Sequence, residues 1–374
     1  MSHPPTTPSH RAKSRLSRRG VIGAAGAVAA GAAVTPMVFA ATESDGSTTS
    51  TTSTASTAGT KTEKFPATRT KEAGGAGAAT VAFPVNYVGL RWTGEQDGAG
   101  IRFADAWQDV KGDGCASANL DGAGTALLAA PNATAYDVKA PAGATDVRSL
   151  AIDTTGGPQR SAAVPADTTR VRGVAYLSRA AWGADESLRF KADGTENSPT
   201  KYYPAQVLTV HHTDTPNGDP DPAATVRAIY QYHAITNDWG DIGYHFLIDE
   251  AGRIYEGRYS GDDGIPAHDK DGNVVTAFHT GGYNSGNLGI ALLGTLVDQG
   301  PTDAARSSLV RLIAVLTRFH GLDPQAKVTY VNPVNGVTKD VTTVGGHRDW
   351  MATDCPGATM YALLDDVRKA AARP

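Results

Sequence analysis

The chain has 374 residues, of which 40% are apolar, and its formal net charge is −4. This length predicts about two folded units besides any processed segment, and the apolar fraction is sufficient for packed cores. The small negative charge provides no basic surface, so nucleic acid is excluded as an expected partner.

Residues 1–40 have the composition of an export signal. Five basic residues and no acidic residue are followed by an apolar run that ends in the small-residue sequence of residues 38–41. This pattern predicts a cleaved signal peptide, and the pair Arg18 and Arg19 resembles a twin-arginine signal. Because the run is mostly Ala and Gly and contains Pro36, we expect cleavage and no stable membrane insertion.

The next segments differ in composition. Residues 41–80 are rich in Thr, Ser, Gly and Ala and predict a flexible linker, because they bury too little apolar surface to offset their ordering entropy. Residues 81–165 contain short apolar runs between Gly and Pro, which predict a small all-β domain such as a β-sandwich. Residues 166–175 are interpreted as a connection. Cys115 has no His or Cys near it at ligand spacing and is interpreted as a small loop residue.

From residue 176 onward, strand patterns alternate with helix patterns. The predicted strands are 206–210, 244–248, 253–256 and 288–293, and the predicted helices are 222–236, 303–320 and 358–372. Asp221 is the expected N-cap of the first of these helices, and Gly321 closes the second. This order predicts an α/β domain over residues 176–374, with a mixed central β-sheet flanked by helices.

Three residues of metal-binding types stand where side chains can meet in a cleft. His211 ends a predicted strand, His347 follows another, and Cys355 precedes the last helix, whose N-terminus favours a thiolate. Two imidazoles and a thiolate can hold zinc and leave a fourth position open to water. The spacing alone is weak evidence, since it matches no closed zinc-finger pattern. In an exported protein, a disulfide between Cys115 and Cys355 is the alternative.

Seven short motifs then occur in a fixed order. They are Ser-Arg-Ala-Ala-Trp-Gly-Ala at 178–184, Val-His-His-Thr at 210–213, Asp-Ile-Gly-Tyr-His-Phe-Leu-Ile at 241–248, Tyr-Glu-Gly-Arg at 255–258, His-Thr-Gly-Gly-Tyr-Asn at 279–284, Gly-His-Arg-Asp at 346–349 and Cys-Pro-Gly at 355–357. Together they resemble the peptidoglycan recognition protein and type-2 N-acetylmuramoyl-L-alanine amidase family, which includes the phage T7 lysozyme-like zinc amidases. The resemblance covers about residues 176–374.

The resemblance implies a zinc enzyme that hydrolyses the amide between N-acetylmuramic acid and L-alanine in peptidoglycan. It assigns one zinc ion per catalytic domain to His211, His347 and Cys355, which weighs against the disulfide. It assigns the catalytic tyrosine to Tyr244. Thr353 occupies the position of a lysine in the phage enzymes, so here only a neutral hydroxyl is expected to support the oxyanion.

Three further residues are candidates for substrate binding. His212 could orient a ligand or a water, or could pack on the opposite face of its strand. His279 aligns with a family position that lines the substrate groove. Arg258 could bind a stem-peptide carboxylate with its planar guanidinium, or could form a surface salt bridge.

The resemblance and the export signal together predict a secreted, cell-wall-associated protein whose partner is peptidoglycan, both glycan strand and stem peptide. Export by the twin-arginine route is expected. Two other functions are considered: a peptidoglycan-binding module without catalysis, which would lack a zinc ligand or the tyrosine, and a cytosolic recycling amidase, which the export signal disfavours. The sequence does not predict an oligomeric state.

Overall fold

The computed structural model describes residues 59–112 and 122–373 of the chain. The predicted signal peptide and Cys115 lie outside these residues. Residues 56–374 belong to one compact unit. Within the described part of the chain, no helix has the length and apolar character needed to cross a membrane.

The N-terminal part of the described chain consists of strands. They are β1 (Thr60–Pro66), β2 (Arg69–Gly74), β3 (Gly77–Thr93), β4 (Ala99–Arg102), β5 (Gln108–Val110), β6 (Ala123–Lys139), β7 (Thr145–Asp153) and β8 (Gln159–Pro165). Six of them form one antiparallel sheet in the order β2-β7-β3-β6-β4-β5, and β1 pairs with β8. We call the six-stranded sheet the N-terminal sheet.

The predicted extent of the linker is wrong. The predicted flexible linker extends to residue 80, yet residues 60–66 and 69–74 are strands. Their polar composition is compensated by backbone pairing with β8 and β7, which lie far away in sequence. Residues 81–165 contribute strands both to the six-stranded N-terminal sheet and to the β1–β8 pair, and the predicted sandwich stays a prediction. The long strand β3 is irregular in register between Thr80 and Tyr87, and such irregularities bend a sheet.

The second part of the chain alternates strands and helices. Its strands are β9 (Arg170–Val171), β10 (Val174–Ala175), β11 (Tyr202–Tyr203), β12 (Val207–His212), β13 (Phe246–Ile248), β14 (Ile254–Glu256), β15 (Val274–Val275), β16 (Asn287–Leu292), β17 (Lys327–Val331), β18 (Thr338–Thr342) and β19 (Val344–Gly346). Its α-helices are α1 (Arg179–Trp182), α2 (Pro222–Gln231), α3 (Asp303–His320) and α4 (Ala358–Ala371). One π-helical turn follows α2 (Tyr232–Thr236), and 3₁₀ turns lie at Glu186–Arg189 and His347–Asp349.

The central sheet has five strands in the order β14-β13-β16-β12-β19. Strand β12 runs parallel to both β16 and β19, whereas β13 and β14 form an antiparallel hairpin. The predicted mixed sheet flanked by helices is therefore confirmed. Because β12 and β19 are parallel neighbours, the residues that follow them emerge at the same edge of the sheet.

Helices cover both faces of this sheet. One face packs on α3 and α4 through residues such as Val210, Ile290, Leu312 and Leu364. The other face packs on α2 through Ala291, Val226 and Ile229. Helix starts follow the predicted chemistry: the Asp221 carboxylate accepts from the backbone N–H of Ala224 at 3.1 Å, and Pro222 occupies the first turn.

The N-terminal sheet packs against α2 and the π-helical turn. The hydroxyl groups of Tyr87 and Thr225 lie 2.8 Å apart in a buried contact. A Cβ atom added at Gly89 would lie 2.8 Å from the side chains of both Tyr232 and Thr236, so the two layers touch at van der Waals distance. Leu150 belongs to the same apolar cluster. The helix is thus buried between the two sheets.

Candidate metal centre and its cavity

The parallel register of β12 and β19 brings His211 and His347 together. Val210 is paired with Gly346, and each histidine is the next residue along its strand direction. Their ring centroids are 4.6 Å apart, and both side chains are fully buried. Gly346 leaves room for the ring of Tyr361, since a Cβ there would lie 2.8 Å from that ring.

Cys355 completes a three-residue group with these histidines. The ligand atoms of His211, His347 and Cys355 all lie within 4.8 Å of one another, and all three residues are buried. The Cys355 Sγ is 3.6 Å from the His211 Nδ1. A tetrahedral zinc ion with bonds of about 2.3 Å to sulfur and about 2.0 Å to nitrogen would separate two ligand atoms by about 3.5 Å. This spacing fits a shared ion, and Cys355 is a free thiol rather than half of a disulfide.

The surroundings of His347 also fit the role of a metal ligand. Both of its ring nitrogens are buried and have no hydrogen-bond partner among the described residues. A buried polar atom without a partner costs about 1–3 kcal/mol, which a metal bond to one nitrogen would offset. Burial, helped by His279 and His212 nearby, lowers the pKa of His347 to about 3, so the ring is neutral at physiological pH, as a ligand must be.

A hydrogen-bonded chain fixes the ring of His211. The His279 Nε2 lies 3.0 Å from the backbone oxygen of Asn287, and a carbonyl can only accept, so this nitrogen carries a proton. Burial lowers the pKa of His279 to about 4, so its Nδ1 is an acceptor. The Nε2 of His211 lies 3.0 Å from that Nδ1 and therefore donates to it. The lone pair of His211 is left on Nδ1, the atom that faces Cys355.

His279 lies next to His211 and is not among the residues that line the cavity described below. Its side chain is 1% exposed and lies behind His211, away from the cavity surface. Gly289 makes this position available, because a Cβ there would lie 2.6 Å from the His279 ring. Substrate binding by His279 stays a prediction; in the structure its ring is hydrogen-bonded to the ring of His211.

A cavity of about 390 Å³ lies next to the metal-binding group. Cys355, Tyr244 and Thr353 line it, as does His212. The ring centroid of Tyr244 is 5.2 Å from that of His211. The Thr353 hydroxyl accepts from the backbone N–H of Cys355 at 3.2 Å. The predicted catalytic pair is therefore adjacent to the metal-binding group.

His212 and Arg258 have different surroundings. The Nδ1 of His212 accepts from the backbone N–H of Leu296 at 3.0 Å, which leaves the proton of the neutral ring on Nε2. Arg258 is 2% exposed and does not line the cavity. Its guanidinium donates to the Ser198 hydroxyl at 2.9 Å and packs 4.2 Å from the ring centroid of Phe278. The stem-peptide contact of Arg258 stays a prediction.

Sequence reasoning did not select His233, which also lines the cavity. Its Nδ1 accepts from the backbone N–H of Gly243 at 2.9 Å, so the neutral ring carries its proton on Nε2. That Nε2 is buried and has no hydrogen-bond partner within the described ranges. Burial, with Arg258 nearby, lowers the pKa of His233 to about 3. Its place in the π-helical turn has no clear sequence signal, because a helical period does not reveal the inserted residue.

The N-terminal sheet contributes another unexpected part of the cavity wall. Lys111, Leu127 and Leu128 line the cavity opposite the metal-binding group. The Lys111 Nζ lies 3.1 Å from an oxygen of Asp354, the residue directly before Cys355. No local period in the sequence indicates this contact, since the residues are far apart along the chain.

The fold and site define an α/β protein with a buried His-His-Cys group that can bind a metal at the edge of a mixed sheet. A family profile described as N-acetylmuramoyl-L-alanine amidase matches residues 201–358, which contain all three residues of the group. A Drosophila melanogaster relative, peptidoglycan-recognition protein SA, is 34% identical over 165 residues, covering 44% of this chain and 67% of the relative. The chain belongs to the family of peptidoglycan recognition proteins and N-acetylmuramoyl-L-alanine amidases.

Other relatives match over a smaller share of their length. The human N-acetylmuramoyl-L-alanine amidase is 32% identical over 165 residues, which is 43% of this chain and 24% of the relative. The chain thus spans about a quarter of that protein and of its pig and mouse counterparts. The solved structure of Drosophila PGRP-LB aligns with 26% identity and a TM-score of 0.37, over 51% of this chain and 92% of that one.

Proposed function

We propose that the protein is a zinc-dependent N-acetylmuramoyl-L-alanine amidase, which hydrolyses the amide between N-acetylmuramic acid and L-alanine in peptidoglycan. The buried group of His211, His347 and Cys355, opening on a cavity that Tyr244 lines, is the observation that carries the proposal. Two imidazoles and a thiolate match the donor sets of zinc sites that keep an open position. Several relatives are named for this activity, which supports the choice of reaction.

The residues of the chain have separate tasks in this reaction. Zinc, when bound, supplies Lewis-acid polarisation of the amide carbonyl and activation of a water molecule. The Tyr244 hydroxyl donates a hydrogen bond to the oxygen that becomes negative as the carbonyl is attacked. The Thr353 hydroxyl accepts from the Cys355 backbone and so holds the loop that carries the thiolate. The Nε2–H of His233, a residue of the cavity wall, is buried without an acceptor among the described residues and is a further donor close to the site.

A peptidoglycan-binding module without catalysis is the second candidate. Relatives named peptidoglycan recognition proteins support it as a class. The presence of Cys355 in the metal-binding group favours the enzyme, because a module that only binds needs no third ligand.

The test is digestion of purified peptidoglycan by the full mature chain, with and without added zinc, and by the variant Cys355→Ala. Release of free stem peptides by the zinc-loaded wild type, and its loss in Cys355→Ala or after chelation, is expected. The variant Cys115→Ala is the matched control, since it removes the other thiol and should keep activity. Equal digestion by Cys355→Ala would contradict the zinc mechanism, and binding without release would favour the module.

We also propose that the protein is secreted through the twin-arginine route and acts at the cell wall. The pair Arg18 and Arg19 and the following apolar run support this location. Replacement of both arginines by lysine should retain the precursor in the cell, as measured by fractionation. Unchanged export of that variant would point to the general secretion route.

A further inference from the structure

The N-terminal sheet forms part of the cavity next to the metal-binding group, although it lies outside the residues that the family profile matches. Leu127 and Leu128 of β6 supply apolar surface, and Lys111, which follows β5, supplies a charge. A binding site is defined by such a combination of apolar wall and a few placed polar groups. The sheet is thus placed to contact whatever occupies the cavity.

The wall is held in place by tight contacts with α2 and the π-helical turn. The buried bond between Tyr87 and Thr225 and the close packing at Gly89 leave no space for the sheet to shift. The Arg91 guanidinium also donates to the backbone oxygen of Thr236 at 3.2 Å. Side chains carried by β5 and β6 therefore have defined positions relative to Cys355.

Lys111 is the only Lys or Arg among the described residues that line the cavity. Its ammonium group lies 3.1 Å from the Asp354 carboxylate, with the two side chains 71% and 68% exposed. Ion pairs this exposed are weak, so an incoming carboxylate can compete for the ammonium. Asp354 directly precedes Cys355, so the ammonium lies beside the loop that carries Cys355.

We propose that Lys111 binds the carboxylate of the stem peptide that follows L-alanine, and that the N-terminal sheet is a specificity-determining part of the site. This proposal rests on the proposed amidase function. Of the two sides of the scissile amide, only the peptide side carries carboxylates near the reacting bond, so an ammonium beside Asp354 selects that side. The methyl group of L-alanine suits the apolar surface of Leu127 and Leu128. The carboxylate contact predicted for the buried Arg258 is thus provided by Lys111.

The experiment compares two soluble substrates, N-acetylmuramoyl tripeptides that differ only in whether the α-carboxylate of the second residue is free or amidated. The zinc-loaded full chain should prefer the free carboxylate. In Lys111→Ala the ratio of kcat/KM for the two substrates should fall about tenfold, mainly through KM, which corresponds to about 1.4 kcal/mol. Lys111→Arg should keep most of the preference. Lys71→Ala removes an exposed lysine from β2, outside the cavity, and should leave the ratio unchanged.

A second variant separates substrate binding from the ion pair. Asp354→Asn removes the Asp354 carboxylate that competes for Lys111 and should preserve or increase the preference for the free carboxylate. If Asp354→Asn loses the preference as Lys111→Ala does, or if Lys111→Ala keeps the wild-type ratio, the proposal is overturned. Hydrolysis of the amidated substrate reports the amidase function independently. Should neither substrate be cleaved, the same ratio measured from dissociation constants still tests Lys111.

Discussion

The Nε2 of His211 donates to the Nδ1 of His279 across 3.0 Å, and His279 in turn donates to the backbone oxygen of Asn287. A carbonyl oxygen only accepts hydrogen bonds, so the Nε2 of His279 carries the proton. The neutral His279 ring therefore accepts at Nδ1, and His211 donates to it from Nε2. The nitrogen of His211 that faces Cys355 is thereby left unprotonated by a residue that does not line the cavity.

Replacement of His279 by Phe should weaken zinc binding about 10–100-fold, because the His211 ring loses the partner that fixes its tautomer and orientation. Competition with a chromophoric chelator measures the affinity. The matched control is His245→Phe, since His245 is equally buried and bonds only backbone groups, those of Val275 and Gly289. Both variants should lose stability, whereas only His279→Phe should lose affinity. Equal zinc affinity in the wild type and His279→Phe would refute the positioning role.

Removal of the Tyr244 hydroxyl in Tyr244→Phe should lower kcat about 100–1000-fold and leave zinc content unchanged, because the oxyanion loses one donor while the ring keeps its packing. Steady-state kinetics and metal analysis check the two parts. Tyr230→Phe is the control: Tyr230 is as buried and its hydroxyl donates to the Asp185 backbone oxygen, away from the cavity. A kcat for Tyr244→Phe within a few-fold of wild type would assign this tyrosine a packing role.

The close contact between the N-terminal sheet and the helical layer of α2 and the π-helical turn predicts that substitution of Gly89 by Ala lowers the stability of the protein. The added methyl of Gly89→Ala would lie 2.8 Å from the side chains of Tyr232 and Thr236 and should cost about 1–3 kcal/mol of unfolding free energy through overpacking. Gly74→Ala, in β2, meets no atom within 4 Å and should be neutral or slightly stabilising. Thermal unfolding of the two variants gives the comparison. Equal Tm values would show that the sheet can move away from the helix.

The metal-free protein should lose stability as the pH falls below about 6.5. Burial lowers the pKa of His233 to about 3 and that of His279 to about 4, so between these values and the usual 6.5 the unfolded chain binds more protons. The contribution of these two neutral histidines to the free energy of unfolding is complete above pH 6.5 and decreases towards pH 3. Glu256 has the opposite effect: burial raises its pKa to about 7, so its protonation stabilises the folded state as the pH falls. It is one group, whereas the pKa is lowered for several buried histidines.

Urea unfolding between pH 7.5 and 4.5 measures this dependence. His233→Asn should give a shallower decrease, because one depressed imidazole is removed. A free energy of unfolding that is constant or rises on acidification would contradict the neutral state of the buried histidines.

Part of the site could be predicted from the sequence because it depends on local order. His211 and His347 follow strand patterns, Cys355 precedes a helix, and parallel pairing places such residues at one sheet edge. The catalytic role of Tyr244 came from the family resemblance and remains a proposal. The bounds of α3 agreed with the prediction because its caps, Thr302 and Gly321, are local signals.

The remaining features depend on packing between distant segments. His279 reaches His211 only because Gly289, in the neighbouring strand, leaves space for its ring. The strand at 60–66 looked like a linker because its partner strand lies about a hundred residues away. The cavity wall around Lys111 also could not be predicted, because Lys111 and Cys355 lie far apart in sequence and no local pattern connects them. Such contacts require the assembled fold.

The apolar face that α2 and the π-helical turn present to the N-terminal sheet has a practical consequence. Ala228 and Tyr232 are fully buried, and they cluster with Tyr87 and Ile152 of the sheet. A fragment that begins where the family profile begins, near residue 201, would expose this surface to water and should aggregate. We therefore expect the family segment to need the N-terminal sheet for folding, so that a transfer of this domain into another protein should include both parts of the chain.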